Sequence, residues 1–325
     1  MLQQTQMDRV VVFFNRWVAR YPDITALSRA SEDDILKSWE GLGYYSRARN
    51  ILKTARRLSA EHAGRLPADH AVLLDLPGIG PYTAGAIMSL AFNEDYPIVD
   101  ANIERLFARF FRIEEPVKNK TATNFIWQKA KELIPTGQAR YFNQALMELG
   151  ALVCLPGNPH CSRCPLTAEC RARAGDMQQT LPVQATAGKI IPISMASGVL
   201  LHRGRIFIQK RLKKDIWSNL WEFPGGCLEE GETPEQALQR EFLEETELRI
   251  TELEKIRILR HSYTNYRVTL HCYYCRLQSV NTEPVLHAAQ QYRWATREEL
   301  LELPFPSPHR KLIGEIYEDL VGMAE

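Results

Sequence analysis

The sequence predicts a multidomain protein, an all-α first half followed by a half of strands around one acidic helix. Three observations predict it. Residues 1 to about 150 repeat apolar side chains at three- and four-residue spacing. From about residue 193 the chain turns to runs rich in Val, Ile, Leu, Tyr and Thr, broken by turn residues. Between them lies AGDMQQTLPVQATAGK, polar, rich in small residues and without period. The expected division is a helical domain over 1–175, a linker over 176–192 and a strand-containing domain over 193–325.

Composition bounds the function. The 325 residues suffice for two ordinary domains. The net charge of +1 gives no global basic field, so any contact with nucleic acid must come from a local surface. No run of 18 apolar residues predicts a membrane span, and no charged segment followed by an apolar core predicts a signal peptide. Four of the seven cysteines fall between Cys154 and Cys170, which favours a metal site in a reducing compartment over a disulfide framework. The expectation is a soluble, cytoplasmic protein.

The first stretch, MLQQTQMDRVVVFFNRWVARYP, reads as a helix already under way, with Val11, Phe14, Trp17 and Val18 close to one face. Further helices are expected in SEDDILKSWEGLG, SRARNILKTARRLSAEHAG, AVLLDL, YTAGAIMSLAF, NIERLFARFF and TATNFIWQKAKELI. Several start at Ser, Asp or Thr and end near Gly or Pro. Leu76 to Gly85, LPGIGPYTAG, joins two of them. Gly78 and Gly80 permit a tight turn with backbone N–H groups exposed at the next helix start, a phosphate cradle. A glycine-rich connection with no ligand fits the turn alone equally well. Asp100, after an apolar run and before a helix, reads as an N-cap.

Cys154, Cys161, Cys164 and Cys170 are spaced C-x6-C-x2-C-x5-C on a short, Pro-interrupted segment. Four thiolates there can wrap one compact metal centre, and a four-cysteine set suits zinc or an iron–sulfur cluster. The bland alternative is four unrelated buried cysteines. Cys272 and Cys275 form a second CxxC, but in a strand pattern they point to opposite faces and are not expected to bind metal. Cys227 reads as an ordinary residue. In the second half, Glu241, Glu244 and Glu245 share one helix face. Such a face repels itself unless a divalent cation sits on it, and Mg²⁺ favours carboxylate plus phosphate oxygens. A solvated acidic helix is the plain alternative.

The cysteine spacing resembles the [4Fe–4S] loop of the endonuclease III and MutY superfamily of base-excision glycosylases, where the cluster is structural or redox-related and does not cut the bond. The LPG-x-G turn is similar to that family's helix-hairpin-helix motif, which implies DNA backbone binding at Gly78 and Gly80. The resemblance gives Asp100 a catalytic role. A carboxylate there stabilises an oxocarbenium-like sugar as the glycosidic bond breaks, or traps it covalently. Asn102 matches a residue that helps hold the site. Where the endonuclease III branch has a Schiff-base lysine, this chain has Tyr82, as do many MutY-type enzymes, which implies a monofunctional glycosylase. Glu40 to Asn50, EGLGYYSRARN, also looks like the MutY branch. Leu42 and Tyr44 match residues that enter the duplex when a base is flipped. Tyr44 could otherwise be a core aromatic, and Arg47 and Arg49 are expected at the surface or on phosphates.

MLQQTQ matches the same branch, and places Gln3, Gln4 and Thr5 where the family contacts the extruded adenine and its neighbours. The family's general acid, the glutamate of E-V-M-L-Q-Q-T-Q, would lie two residues before Met1, and the first helical segment would also precede it. The chain is therefore expected to be short at its N-terminus, Met1 being an internal methionine or the product a damaged glycosylase. Adenine is a poor leaving group, and acid–base groups contribute about 10²–10⁴-fold.

Trp221 to Leu248 contains G-x5-E-x7-R-E-x2-E-E, with Gly226, Glu232, Arg240, Glu241, Glu244 and Glu245. This is a Nudix box and closely resembles that of MutT-type 8-oxo-dGTP pyrophosphatases, which implies an α/β Nudix domain and a Mg²⁺ site on the three glutamates. It departs at Glu247, where the box has Gly, and in lacking a carboxylate from His287 to Arg293. The lesion-reading Phe-Ser-His run of MutY aligns with Tyr263, Thr264 and Asn265. The resemblance as a whole implies an all-α helix-hairpin-helix domain with a [4Fe–4S] loop, then the Nudix domain. The protein would act as a monomer on double-stranded DNA and remove adenine mispaired with 8-oxoguanine. Two alternatives stand beside it: a Mg²⁺-dependent pyrophosphohydrolase acting on 8-oxo-dGTP, alone or in addition, and a non-catalytic lesion-binding protein.

Overall fold

The computed structural model describes Met1 and residues 7–184, 189–263, 265–279 and 283–322. Gln3, Gln4, Thr5 and Thr264 lie outside the described residues. The chain forms two compact units: Met1–Arg56 with Gly188–Glu325, and Arg57–Ala187. Among the described residues no helix is long and apolar enough to cross a membrane.

The Arg57–Ala187 unit is helical. Its helices include His70–Asp75, Pro81–Ala86 (continued as a π-helical turn over Ile87–Ala91), Ala101–Phe110, Lys120–Glu132 and Ala139–Leu152. Side-chain caps set several starts. Asp69 accepts from Ala71 N and Val72 N, Asp100 from Ile103 N, and Asn119 from Thr121 N. Ile98, Ile103, Leu106, Phe107, Ile126 and Leu146 form its core. Two glycines allow the close packing around Asp100. A Cβ on Gly85 would run into the Pro97 carbonyl, and one on Gly150 would lie 2.7 Å from the Asn102 Cβ.

The other unit holds a seven-stranded mixed sheet among the described residues. Its strands are β1 Ile191–His202, β2 Arg205–Arg211, β3 Trp221–Glu222, β4 Gly225–Cys227, β5 Ile250–Tyr263, β6 Tyr266–Leu277 and β7 Ala289–Ala295. The main order is β3-β2-β1-β6-β5, with β4 against β1 and β7 against β2. Only β1 and β6 are parallel; the other pairings are antiparallel. Alternation of the side chains builds a core on each face. One contains Val199, Cys272 and Phe305, the other Leu200, Phe242 and Cys275. Cys272 and Cys275 thus point to opposite faces, as their spacing predicts. Helix Pro234–Thr246 packs on the second face, opened by a Thr233–Gln236 capping box.

The first 56 residues fold into this same unit. Helix Met7–Arg20 turns Val10, Phe13 and Trp17 inward and leaves Val11, Phe14 and Val18 exposed, so of the four apolar residues read as one face only Trp17 meets the core. Tyr21, Ile35, Leu36, Trp39, Leu42, Tyr45 and Leu52 complete that core, together with Leu220 from the strand-containing part. Polar contacts join the same two stretches. Lys210 Nζ donates to Asp33 at 2.7 Å, and Asn219 Nδ2 donates to Glu32 at 2.5 Å.

His309 offers a test of burial within this unit. Its Nδ1 accepts from the Phe223 amide at 3.1 Å, which requires a neutral imidazole. Burial, then the charge of Arg211, hold its pKa down at about 3. A histidine with a depressed folded pKa leaves the unfolded chain the better proton binder, so stability falls as pH drops below about 6.5. His309→Gln, which keeps an acceptor, is expected to flatten this slope by about 2 kcal/mol between pH 6.5 and 5. Urea unfolding at the two pH values measures it; parallel slopes for both proteins would refute the assignment.

Candidate active site

Asp100 is the N-cap of helix Ala101–Phe110, so the same carboxylate that starts the helix is fixed in direction. Its Oδ1 accepts from Ile103 N at 2.8 Å and its Oδ2 from Asn102 Nδ2 at 3.0 Å. Each oxygen keeps a further lone pair. Tyr82, from helix Pro81–Ala86, is half-buried within reach of the Asp100 charge. Burial first, and that carboxylate second, raise its phenol pKa, so it is a neutral hydroxyl at ordinary pH. Asp100 and Asn102 are joined by a hydrogen bond, and Tyr82 lies near enough for the Asp100 charge to act on it.

The turn before Tyr82 separates the roles of its two glycines. Gly78 has φ +77°, a conformation that favours glycine. Gly80 caps the helix in extended backbone, with φ −95° and ψ −178°, so the turn does not demand glycine there. A Cβ on Gly80 would meet nothing within 4 Å, and the bare, open backbone suits close approach of an outside group.

Two arginines not singled out in the sequence bind this helix to the cysteine segment. Arg105 Nη2 donates to Asn102 Oδ1 at 2.9 Å and to Gly150 O at 2.7 Å; its Nε donates to Cys154 O at 2.8 Å. Arg109, 2% exposed, donates through Nε to Leu181 O at 2.9 Å and through Nη1 to Leu155 O at 2.7 Å and Cys154 Sγ at 3.2 Å. Hydrogen bonds thus run from Asp100 through Asn102 and Arg105 to Cys154. The available signal was two arginines four apart inside the apolar pattern NIERLFARFF.

Cys154, Cys161, Cys164 and Cys170 line one cavity, with Leu106 and Arg109. None of the four forms a disulfide. As placed, no three Cys, His, Asp or Glu side chains among the described residues converge on one ion position. Zinc needs four sulfurs at about 2.3 Å from a single point. A four-iron cluster is larger and needs its four thiolates around one cavity. The donor set, the shared cavity and the guanidinium directed at a sulfur fit the cluster.

In the other unit, Gly41 (φ +92°), Gly43 (φ +69°) and Tyr44 (φ +48°) form a left-handed loop. Tyr44 is 49% exposed and is no core aromatic, whereas Leu42 is 6% exposed and packs inside. Arg47 and Arg49 are half-buried rather than free at the surface. Arg47 lies over the Trp39 and Tyr44 rings and donates to Leu42 O, and Arg49 donates to Ser218 O at 2.8 Å.

In the acidic motif, Arg240 gathers the carboxylates. It donates to both Glu232 oxygens, at 2.8 and 2.9 Å, and to Glu241 and Glu244, each at 3.1 Å. The Arg240 bonds hold the Glu232 pKa down at about 2. Glu245 turns inward instead, accepting from Gln209 Nε2 at 2.9 Å; burial, then the Glu222 charge, push its pKa up to about 7. Gly226 lies against the Glu241 carboxylate, which would have to move aside for a Cβ at that position. Glu247 caps the helix at φ +57°, which accounts for glycine as the expected residue. Glu247→Gly is expected to stabilise the domain by about 1 kcal/mol, offset in part by loss of its exposed 2.8 Å contact to His287. Urea unfolding would reveal it, and a lower midpoint would contradict it.

Tyr263 and Asn265 stand at the β5–β6 turn. Tyr263 packs edge-on against Trp217 with ring centroids 5.6 Å apart, and Asn265 is exposed.

Residues 1–135 match the HhH-GPD superfamily base excision DNA repair proteins, and residues 196–315 match the NUDIX domain. An adenine DNA glycosylase of Buchnera aphidicola subsp. Baizongia pistaciae is 39% identical over 225 residues, which cover 69% of this chain and 64% of that protein. One from Buchnera aphidicola subsp. Acyrthosiphon pisum is 30% identical over 321 residues, covering 98% and 89%. The human adenine DNA glycosylase is 30% identical over 351 residues, covering 92% and 63%. The matched stretch is thus a little under two thirds of the first relative and most of the second.

Proposed function

We propose that this chain, which belongs to the adenine DNA glycosylases of the HhH-GPD base-excision repair superfamily, removes adenine mispaired with 8-oxoguanine in double-stranded DNA. The observation that carries the reading is the Asp100 carboxylate, fixed by Ile103 N and Asn102 Nδ2 beside the neutral Tyr82 hydroxyl. As the glycosidic bond breaks, adenine leaves with a proton taken up on its ring, a step that calls for a general acid, and positive charge develops on the deoxyribose. A preorganised carboxylate stabilises that charge without reorganising at the moment of reaction. Asn102 keeps the carboxylate aimed, and Tyr82 supplies a hydroxyl and no amine, so the sugar is released to water and no Schiff base forms. The bare backbone at Gly78 and Gly80 receives a phosphate. Tyr44 enters the duplex in place of the extruded adenine. Tyr263 and Asn265, with Thr264, read the 8-oxoguanine. Cys154, Cys161, Cys164 and Cys170 would hold a [4Fe–4S] cluster, which braces the segment behind Asp100 when bound. The test is adenine release from an 8-oxoguanine:adenine duplex under single-turnover conditions; equal binding and equal release with an undamaged duplex would refute the reading.

A second reading, Mg²⁺-dependent hydrolysis of 8-oxo-dGTP, draws on one observation: Arg240 collects Glu232, Glu241 and Glu244 on one side of the Pro234–Thr246 helix. Glu241 and Glu244 would hold the ion, joined by Glu245 only once it leaves Gln209. Mg²⁺-dependent pyrophosphate release that Glu244→Gln abolishes would support it, and no turnover would sink it.

A further inference from the structure

The loop that carries Tyr44 is gripped at both ends by one short stretch of the Nudix domain. Before the loop, Glu40 Oε1 accepts from the Phe305 amide at 2.9 Å and from Arg310 Nε at 2.9 Å, while its Oε2 accepts from Lys37 Nζ at 3.0 Å. After the loop, the buried Tyr45 hydroxyl donates to the Phe305 carbonyl at 3.2 Å. The two peptide groups of a single residue, Phe305, therefore hold the residues that flank Gly41–Tyr44. Arg310 is itself tied back by donating to Leu300 O at 2.8 Å and Leu303 O at 2.5 Å, and its guanidinium lies over the Phe305 ring. Glu40 and Arg310 are well shielded, with side chains 13% and 22% exposed, so their ion pair is screened less than a surface pair.

Such a grip has work to do here. Tyr44 sits at φ +48°, a left-handed conformation that costs an L residue energy and persists only where the surroundings over-determine it. Inside the loop, Trp39 Nε1 donates to Gly43 O at 3.0 Å and Arg47 Nη2 to Leu42 O at 3.2 Å. These bonds shape the loop from within, while the bonds of Glu40 and Tyr45 to Phe305 and Arg310 fix its two ends to the Nudix domain.

We propose that Leu303–Arg310 is a splint that holds the Gly41–Tyr44 loop ready to enter the duplex, with Glu40, Tyr45 and Arg310 as positioning residues for adenine extrusion. The proposal rests on the reading that Tyr44 enters the duplex. It gives the Nudix domain a second task that is independent of lesion reading and of its acidic motif.

The test uses a duplex with 2-aminopurine in place of the adenine opposite 8-oxoguanine, saturated with protein. Fluorescence reports the extruded-to-stacked ratio. Glu40→Ala is expected to lower that ratio about tenfold, Tyr45→Phe to lower it less, and Glu40→Gln, which keeps an acceptor for Phe305, to restore part of it. On a Tyr44→Ala background, Glu40→Ala should add no further loss, since both act through the same wedge. Contacts that only dock the domain would lower thermal stability and leave the ratio at saturation untouched. That result, or a full additive loss on the Tyr44→Ala background, overturns the splint while leaving the wedge standing. An unchanged ratio in Tyr44→Ala overturns the wedge reading and the splint with it. Tyr45→Phe removes a single hydroxyl and carries the same test should Glu40→Ala not fold.

Discussion

Asp100→Asn is expected to lower single-turnover adenine release by about 10²–10³-fold or more, with no loss of fold. The substitution separates two roles of one side chain. Asparagine is as good an N-cap as aspartate, so its Oδ1 can still accept from Ile103 N and start helix Ala101–Phe110. It has no charge to set against the developing sugar cation, and its Nδ2 faces the Asn102 amide donor, so that contact is lost along with the charge. Asp100→Ala would confuse the two by also removing the cap, at a cost of about 1 kcal/mol. The measurement is the first-order rate of release at saturating protein, with duplex affinity and urea midpoint as controls. An Asn variant as fast as the parent would remove Asp100 from the chemistry.

Arg109→Leu is expected to destabilise the Arg57–Ala187 unit by about 3–5 kcal/mol, from the buried acceptors it leaves without a donor, and to lower the iron bound per chain. The guanidinium is almost wholly buried, and Leu155 O, Leu181 O and Cys154 Sγ depend on it. Leucine fills part of the volume and satisfies none of them, and each buried acceptor left without a donor costs about 1–3 kcal/mol. Arg109→Lys keeps the charge but not the planar fork, so it should fall between parent and leucine. Urea unfolding and iron and sulfide per chain measure the two effects. Unchanged iron and an unchanged midpoint would show that the cysteine segment stands without this arginine.

Much of this was legible in the sequence, for local reasons. The Asp100 cap, the Gly78 turn and the alternation at Cys272 and Cys275 each follow from a few adjacent residues and held in the structure. The Glu247 departure was visible as a missing glycine; the αL cap explains why glycine was expected. What escaped depends on distance along the chain. Arg105 and Arg109 look like ordinary basic residues of an amphipathic helix until Gly150, Cys154, Leu155 and Leu181 are folded against them. Glu40 and Tyr45 are bonded to residues more than 250 positions away, and no periodicity encodes that. Of Val11, Phe14, Trp17 and Val18 on helix Met7–Arg20, only Trp17 meets the core, because the apolar run VVVFF offers two nearly equivalent stripes.

The most direct test of the central claim compares adenine release from two duplexes identical except at one base, 8-oxoguanine or thymine opposite the target adenine. The account predicts single-turnover release from the 8-oxoguanine:adenine duplex and none on the same timescale from the thymine:adenine duplex. Equal release from both would contradict it.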